Sequence, residues 1–212
     1  MRFTDLRLVG TGIFLIFSLV VLGGCLGKGT QAPTKYYLLQ PMASAVTGEQ
    51  TGAEDSGFSV GVGPVRMREY LDRPQIVTRS GENEVFIGTF QYWAEPLGDN
   101  FSAILTANLS VLLETNKLVL WPFGKKVKHV DYQVLVDVIR FDGVLGEEAV
   151  LSARWYVVSH KEGMKIEEMI PRKSTFTAPM EGDSYEALVA AMSKTLADFS
   201  REVAEAIQAE SQ

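Results

Sequence analysis

Val130-Asp131-Tyr132-Gln133-Val134-Leu135-Val136-Asp137-Val138-Ile139-Arg140-Phe141 alternates apolar and polar side chains with a period of two. That period sends successive side chains to opposite faces of a strand. Val130, Tyr132, Val134, Val136 and Val138 share one face, opposed by Asp131, Gln133 and Asp137. The strand therefore belongs to a sheet with one packed face and one wetter face. Ala149–Ser159 (AVLSARWYVVS) is its expected hairpin partner, and another strand is expected around Lys165 to Phe176.

A dry sheet face needs a cover, and the last segment supplies one. Tyr185, Leu188, Val189, Met192, Leu196, Phe199, Val203 and Ile207 recur at helical spacing for more than six turns. Asp183 with Glu186 three residues on is a capping-box-like start. The helix lies most simply on the dry face of the sheet, with partial service to a partner as the other use of such a stripe. A first helix is expected from Leu97 to Thr115, with Phe101, Ile104, Leu105, Leu109, Leu112 and Leu113 on one stripe and Asp99 or Asn100 as its cap.

Further strands are expected at Lys35–Gln40 (KYYLLQ), Phe58–Val65 (FSVGVGPV) and Leu118–Trp121. Gln75–Arg79 and Glu84–Phe90 read as a hairpin around Ser80-Gly81-Glu82-Asn83. Pro64 has no N–H, so the second strand should end there or lie at an edge. Pro41–Gly57 is small and polar and reads as a loop. Two long helices and at least six strands make an α/β chain of the α+β type: a mixed, largely antiparallel sheet with two long helices packed on one face. No internal repeat is visible.

The N-terminus is of a different kind. Arg2 and Arg7 precede an apolar run of 15 residues, Leu8–Leu22, and Leu22-Gly23-Gly24-Cys25 follows it. The run suits a signal peptide and falls short of the roughly 20 residues a spanning helix needs. Cys25 is the only cysteine of the chain. Small residues before a thiol fit a lipobox, which makes Cys25 an acylated anchor, palmitate among its chains, and removes it from catalysis and disulfide pairing. The resemblance to bacterial lipoproteins, in which Asp after the lipidated cysteine means retention at the inner membrane, implies an outer-membrane destination for a chain with Leu26 at that position. Residues 1–24 are thus expected to be a lipoprotein signal peptide, 25–34 a lipidated tether and 35–212 one domain on the periplasmic side.

With 20 Lys+Arg against 26 Asp+Glu, the formal charge is −6. Loss of Arg2 and Arg7 together with Asp5 makes the mature chain one unit more negative. An acidic chain lacks the basic footprint of a nucleic-acid binder.

Several patterns invite a chemical reading. Gly57-Phe58-Ser59-Val60-Gly61 has the G-x-S-x-G spacing of a nucleophile elbow, with His129 and His160 and with Asp131, Asp137 or Asp142 to draw on. An elbow needs a strand before its serine and a helix after it, whereas this motif opens a strand. Glycines flanking a strand where another element packs closely are the simpler account. His129-x-Asp131 lacks a third ligand, so no metal site is expected. Glu54-Asp55, Glu147-Glu148 and Glu167-Glu168 read as solvated charge. Trp121–Lys128 (WPFGKKVK) reads as a turn with edge lysines or as a segment that dips toward a membrane surface.

Tyr70–Val77 (YLDRPQIV) joins two strands with an acid, a base and a proline at its middle. Together with Val62-Gly63-Pro64 and Tyr92–Leu97 (YWAEPL), it resembles the PqiC/YmbA family of ABC-type transport auxiliary lipoproteins. The resemblance runs from Tyr36-Tyr37-Leu38-Leu39 to the final helix, with Pro41–Gly57 longer than the family requires. It implies an α/β fold of a sheet with two helices. It also implies a non-enzymatic subunit of an MCE-type lipid transport system, without cofactor, that serves intermembrane phospholipid traffic and envelope integrity. The implied partner is a PqiB-like MCE-domain protein of an inner-membrane complex, with a homo-oligomeric ring of this chain to receive it. Leu71, Asp72, Arg73 and Pro74, with Trp93 and Glu95, are the candidate partner or subunit contacts. The competing account gives Trp93 a plugging role at the base of the first helix and pairs Asp72 with Arg73 locally. A pilot lipoprotein of another envelope machine and a Ser59 periplasmic esterase are the other functions weighed.

Overall fold

The computed structural model describes residues 32–42, 57–121, 129–160 and 170–211. In chain order the elements are β1 (Lys35–Tyr37), β2 (Val60–Arg66), β3 (Gln75–Arg79), β4 (Val85–Trp93), α1 (Leu97–Leu112), β5 (Leu118–Leu120), β6 (Tyr132–Gly143), β7 (Glu148–Ser159), β8 (Arg172–Pro179) and α2 (Tyr185–Ser211). All belong to the unit Thr34–Gln212. Cys25, most of the loop after Pro41, Pro122–Lys128 and the Glu54-Asp55 and Glu167-Glu168 pairs lie outside the described residues, as does the Lys165 end of the last expected strand.

The strands divide between two sheets, one ordered β1-β4-β3 and one ordered β5-β2-β6-β7-β8. β6, β7 and β8 run antiparallel, while β2 lies parallel to both β5 and β6. β1 adds parallel to the end of β4, whose antiparallel partner is β3. The two sheets touch at an isolated bridge between Arg79 and Val144.

β6 carries the expected alternation. Val130, Tyr132, Val134, Val136 and Val138 are all buried. The register then slips between Val138 and Arg140. One extra residue reverses the parity of a strand, so Phe141 turns to the core and meets Phe101 edge to face at 5.4 Å. α2 packs against β6, β7 and β8, and α1 packs against α2, β2 and β5. Phe199 stands among Trp155 (5.8 Å), Phe101 (6.2 Å) and Phe176 (6.3 Å). On the wetter face Arg154 pairs with Asp137 at 2.6 Å.

Both expected helix caps differ from those found. α1 starts after Pro96, whose side chain makes no cap; its carbonyl accepts the N–H groups of Asp99 and Asn100. Asn100 sits a turn inside the helix on the buried side, so its amide serves the core instead. At α2 the cap is Ser184, not Asp183: Ser184 Oγ accepts the N–H of Ala187 at 3.1 Å.

Pro64 does not end β2. The strand runs on to Arg66 through an irregularity between Val62 and Val65, and β5 pairs only with Val60–Val62. The missing N–H of Pro64 therefore falls where β2 has lost its neighbour on one side.

Candidate functional site

The three sequence segments singled out upstream of α1 meet in space. The Trp93 N–H donates to Pro74 O at 2.7 Å, and the Ala94 N–H donates to Tyr37 O at 3.0 Å. This joins YLDRPQIV, YWAEPL and the first strand by backbone hydrogen bonds. Beside the junction lies a groove of about 380 Å³. Its walls come from the β2 irregularity (Gly63, Val65), the loop residue Asp72, the start of α1 (Pro96, Asp99) and Trp121 beyond β5.

Gly63 sets the shape of the groove. Its φ is +123°, and a Cβ there would sit 2.3 Å from Trp121 O. Only glycine combines that backbone with so close a neighbour. From behind, Gln133 Nε2 donates to Gly63 O at 2.8 Å, while Gln133 Oε1 lies 3.2 Å from His160 Nε2. The described lining mixes apolar side chains with two carboxylates, Asp72 and Asp99, and contains no basic residue. Such a surface suits a partner side chain that combines a cation with an apolar stem.

The candidate contacts separate by burial. Asp72 and Pro74 are exposed, and Arg73 is half-buried. Arg73 Nε is buried without a hydrogen-bond partner among the described residues. Glu95 is exposed, and its Oε1 accepts from Asn100 Nδ2 at 2.6 Å. Leu71 and Trp93 are only 2% and 5% exposed. Those two do not present a contact surface. They anchor the loop and the turn from inside the core, because large apolar side chains at a chain crossing are drawn inward.

A polar cluster fastens the same loop and escapes a sequence reading. Asp142 is fully buried. Its Oδ1 accepts from Arg79 Nε at 2.9 Å and from Arg140 Nε at 2.8 Å, and its Oδ2 accepts from Tyr70 OH at 2.8 Å. A buried carboxylate persists only when paired and hydrogen-bonded in this way. Burial, followed by the Asp142 bond, pushes the Tyr70 phenol up to about 12. Burial pulls Arg79 down, yet its bonds to Asp142 and Tyr70 outweigh this and raise it. The slip at Val138 and Arg140 that places Asp142 here leaves no mark in the residue pattern.

Ser59 is engaged elsewhere. Its N–H and Oγ both donate to Asp131 Oδ2, at 2.7 and 2.8 Å. No helix follows it, since β2 does. Gly61 is a close-approach glycine: a Cβ would meet Val130 Cγ2 at 3.2 Å. The rings of His129 and His160 meet edge to face, with centroids 5.9 Å apart.

The sequence matches the family described as ABC-type transport auxiliary lipoprotein component over residues 37–204. No curated protein matches it. The fold is similar to the crystal structure of an uncharacterized protein, with TM-score 0.65, 21% identity, and 83% of this chain and 99% of that one covered. It is also similar to a Xanthomonas campestris protein of family DUF330, with TM-score 0.60, 16% identity, and 82% and 93% covered.

Proposed function

This chain belongs to the ABC-type transport auxiliary lipoprotein family, and from that premise we propose that it is the outer-membrane docking subunit of an MCE-type lipid transport system. In this reading Cys25 carries acyl chains, with palmitate among them, that hold the domain on the periplasmic face of the outer membrane. Two or more chains make such anchoring stable. The domain receives a periplasm-spanning MCE-domain protein and does no covalent chemistry itself. A ring of copies, matched to the symmetry of the MCE assembly, presents several docking grooves at once.

The observation that carries the reading is the convergence of Gly63, Asp72 and Pro96, one from each diagnostic segment, on a single groove. Arg73, beside Asp72, brings a buried donor without an acceptor among the described residues. Arginine is enriched at interface hot spots.

Cross-linking in intact cells with the lipidated protein tests the partner. Recovery of an MCE-domain protein, weakened by Arg73→Ala or Asp72→Asn, is the expected result. Persistent failure to recover one moves the chain to another envelope machine. An Arg73→Ala protein with unchanged oligomer size and partner yield removes the loop from the interface.

A further inference from the structure

Seven large hydrophobic residues are exposed among the described residues, and five of them lie on or beside two neighbouring strands of one sheet: Tyr36 and Leu38 in and just after β1, and Val85, Phe86 and Ile87 at the start of β4. Single exposed apolar residues are ordinary, whereas their concentration on one face marks a contact. The ladder pairs Tyr36 with Tyr92 and Tyr92 with Gln75, and it pairs Val77 with Ile87 and Arg79 with Val85, so Tyr36, Val85 and Ile87 share a face of the sheet and Phe86 has the other. In and after β1 the alternation is strict. Tyr37 turns inward to the ring of Tyr185 on α2 and Leu39 is buried, while Tyr36 (67% exposed) and Leu38 stand outward. The Tyr36 ring lies 5.9 Å from that of Tyr92. β1 pairs only with Gln91–Trp93, so beside Val85–Ile87 the edge of β4 opposite β3 has no strand partner among the described residues.

We infer that this three-stranded sheet is the face with which the domain rests on the membrane that holds its anchor. The inference rests on the reading of Cys25 as an acylated residue. Chain length selects the occupant. Lys35 follows Cys25 by ten residues, a span of at most about 36 Å when fully extended. β1 is thus the described element closest along the chain to the acyl groups, and it carries the most exposed tyrosine. Tyrosine suits headgroup depth, with its ring in the apolar boundary and its hydroxyl wet. The contact is shallow for two reasons. An unpaired strand edge must keep its N–H and C=O groups hydrated. Glu82 and Glu84, exposed in the β3–β4 turn, resist entry into hydrocarbon. The acidic chain also makes a zwitterionic surface the better host than an anionic one.

With Cys25 acylated, the chain offers no other thiol. Tyr36→Cys, Ile87→Cys and Glu205→Cys variants of the acylated full-length protein can therefore each be labelled at one point with an environment-sensitive fluorophore. Glu205 is exposed and lies 20 residues along α2 from Tyr185, about 30 Å away. In phosphatidylethanolamine-rich vesicles, emission should shift to the blue at positions 36 and 87 and be quenched by lipid-borne quenchers, with neither effect at 205. Protein that floats with the vesicles while the probes at 36 and 87 stay in water overturns the inference and leaves the anchor intact. A blue shift that grows with protein density and ignores lipid-borne quenchers assigns the face to a second copy of the chain and overturns it as well. Protein that does not float at all fails at the anchor and takes the inference with it.

Discussion

The Trp93 N–H donates to Pro74 O at 2.7 Å, and around that bond the loop and turn next to the groove are built. Proline cannot donate, but its carbonyl is free to accept. The Trp93 side chain then closes over the junction from the core side. Trp93→Ala should cost about 3 to 5 kcal/mol through the cavity it leaves, read as a lower urea midpoint with an unchanged slope.

Asp142 is the electrostatic lock of the same region. Asp142→Asn removes the negative charge between two guanidinium groups, Arg79 and Arg140. The arginine side chains are 20% and 33% exposed, so water recovers part of the loss. A destabilisation of about 3 kcal/mol is expected, or roughly 6 to 12 °C in Tm for a chain of this size.

Alkaline titration isolates Tyr70. Its folded pKa, raised by burial and by Asp142 to about 12, exceeds the unfolded value of 10.0. The neutral phenol is thus favoured by the fold. Its contribution is whole below pH 10 and is lost as pH rises through about 12. Urea midpoints of wild type and Tyr70→Phe, followed across that window, should converge as pH rises. Parallel curves would remove Tyr70 from the alkaline limb.

Gly63→Ala should lower stability by about 2 kcal/mol or more, from a positive φ on a residue with a Cβ and from the contact with Trp121 O. Restoring glycine elsewhere does not compensate. The groove should deform with it, so loss of partner capture by Gly63→Ala is expected to exceed the loss in a core variant of equal stability.

Asn108 is fully buried, accepts from the Met42 N–H at 2.9 Å and donates to Ser200 Oγ at 3.0 Å. Asn108→Ala should cost about 1 to 3 kcal/mol. Its specific mark is faster hydrogen exchange at the Met42 amide, with the Leu39 amide, held by Asn100, less affected.

Much of the scaffold was legible because burial follows periodicity. The β6 valines and the α2 stripe from Leu188 to Ile207 occupy the core in the order their spacing implies. What escaped depends on events without a period. The slip after Val138 exchanged the faces of Phe141 and Asp142. Asn100 has the composition of a cap, but Pro96 had already taken that position, which freed the amide for Leu39. Ser184 won the start of α2 from Asp183 because it immediately precedes Tyr185, the first helical residue. At the groove, the diagnostic segments were visible as strings of residues. Their burial was not: Leu71 and Trp93 look like surface anchors until the sheet closes over them, and Gly63 shows its purpose only once Trp121 lies beside it.

The stretch after β1 has a mechanical consequence. The Leu39 N–H ends on Asn100 of α1, the Gln40 N–H on Ser193 of α2 and the Met42 N–H on Asn108 of α1. β1 itself lies parallel to β4. A pull directed along β1 from ahead of Lys35 is therefore met by several bonds loaded together in shear, not opened one at a time like a zip. The traction is handed to both long helices, and the domain resists detachment as one body from the end at which it would be tugged.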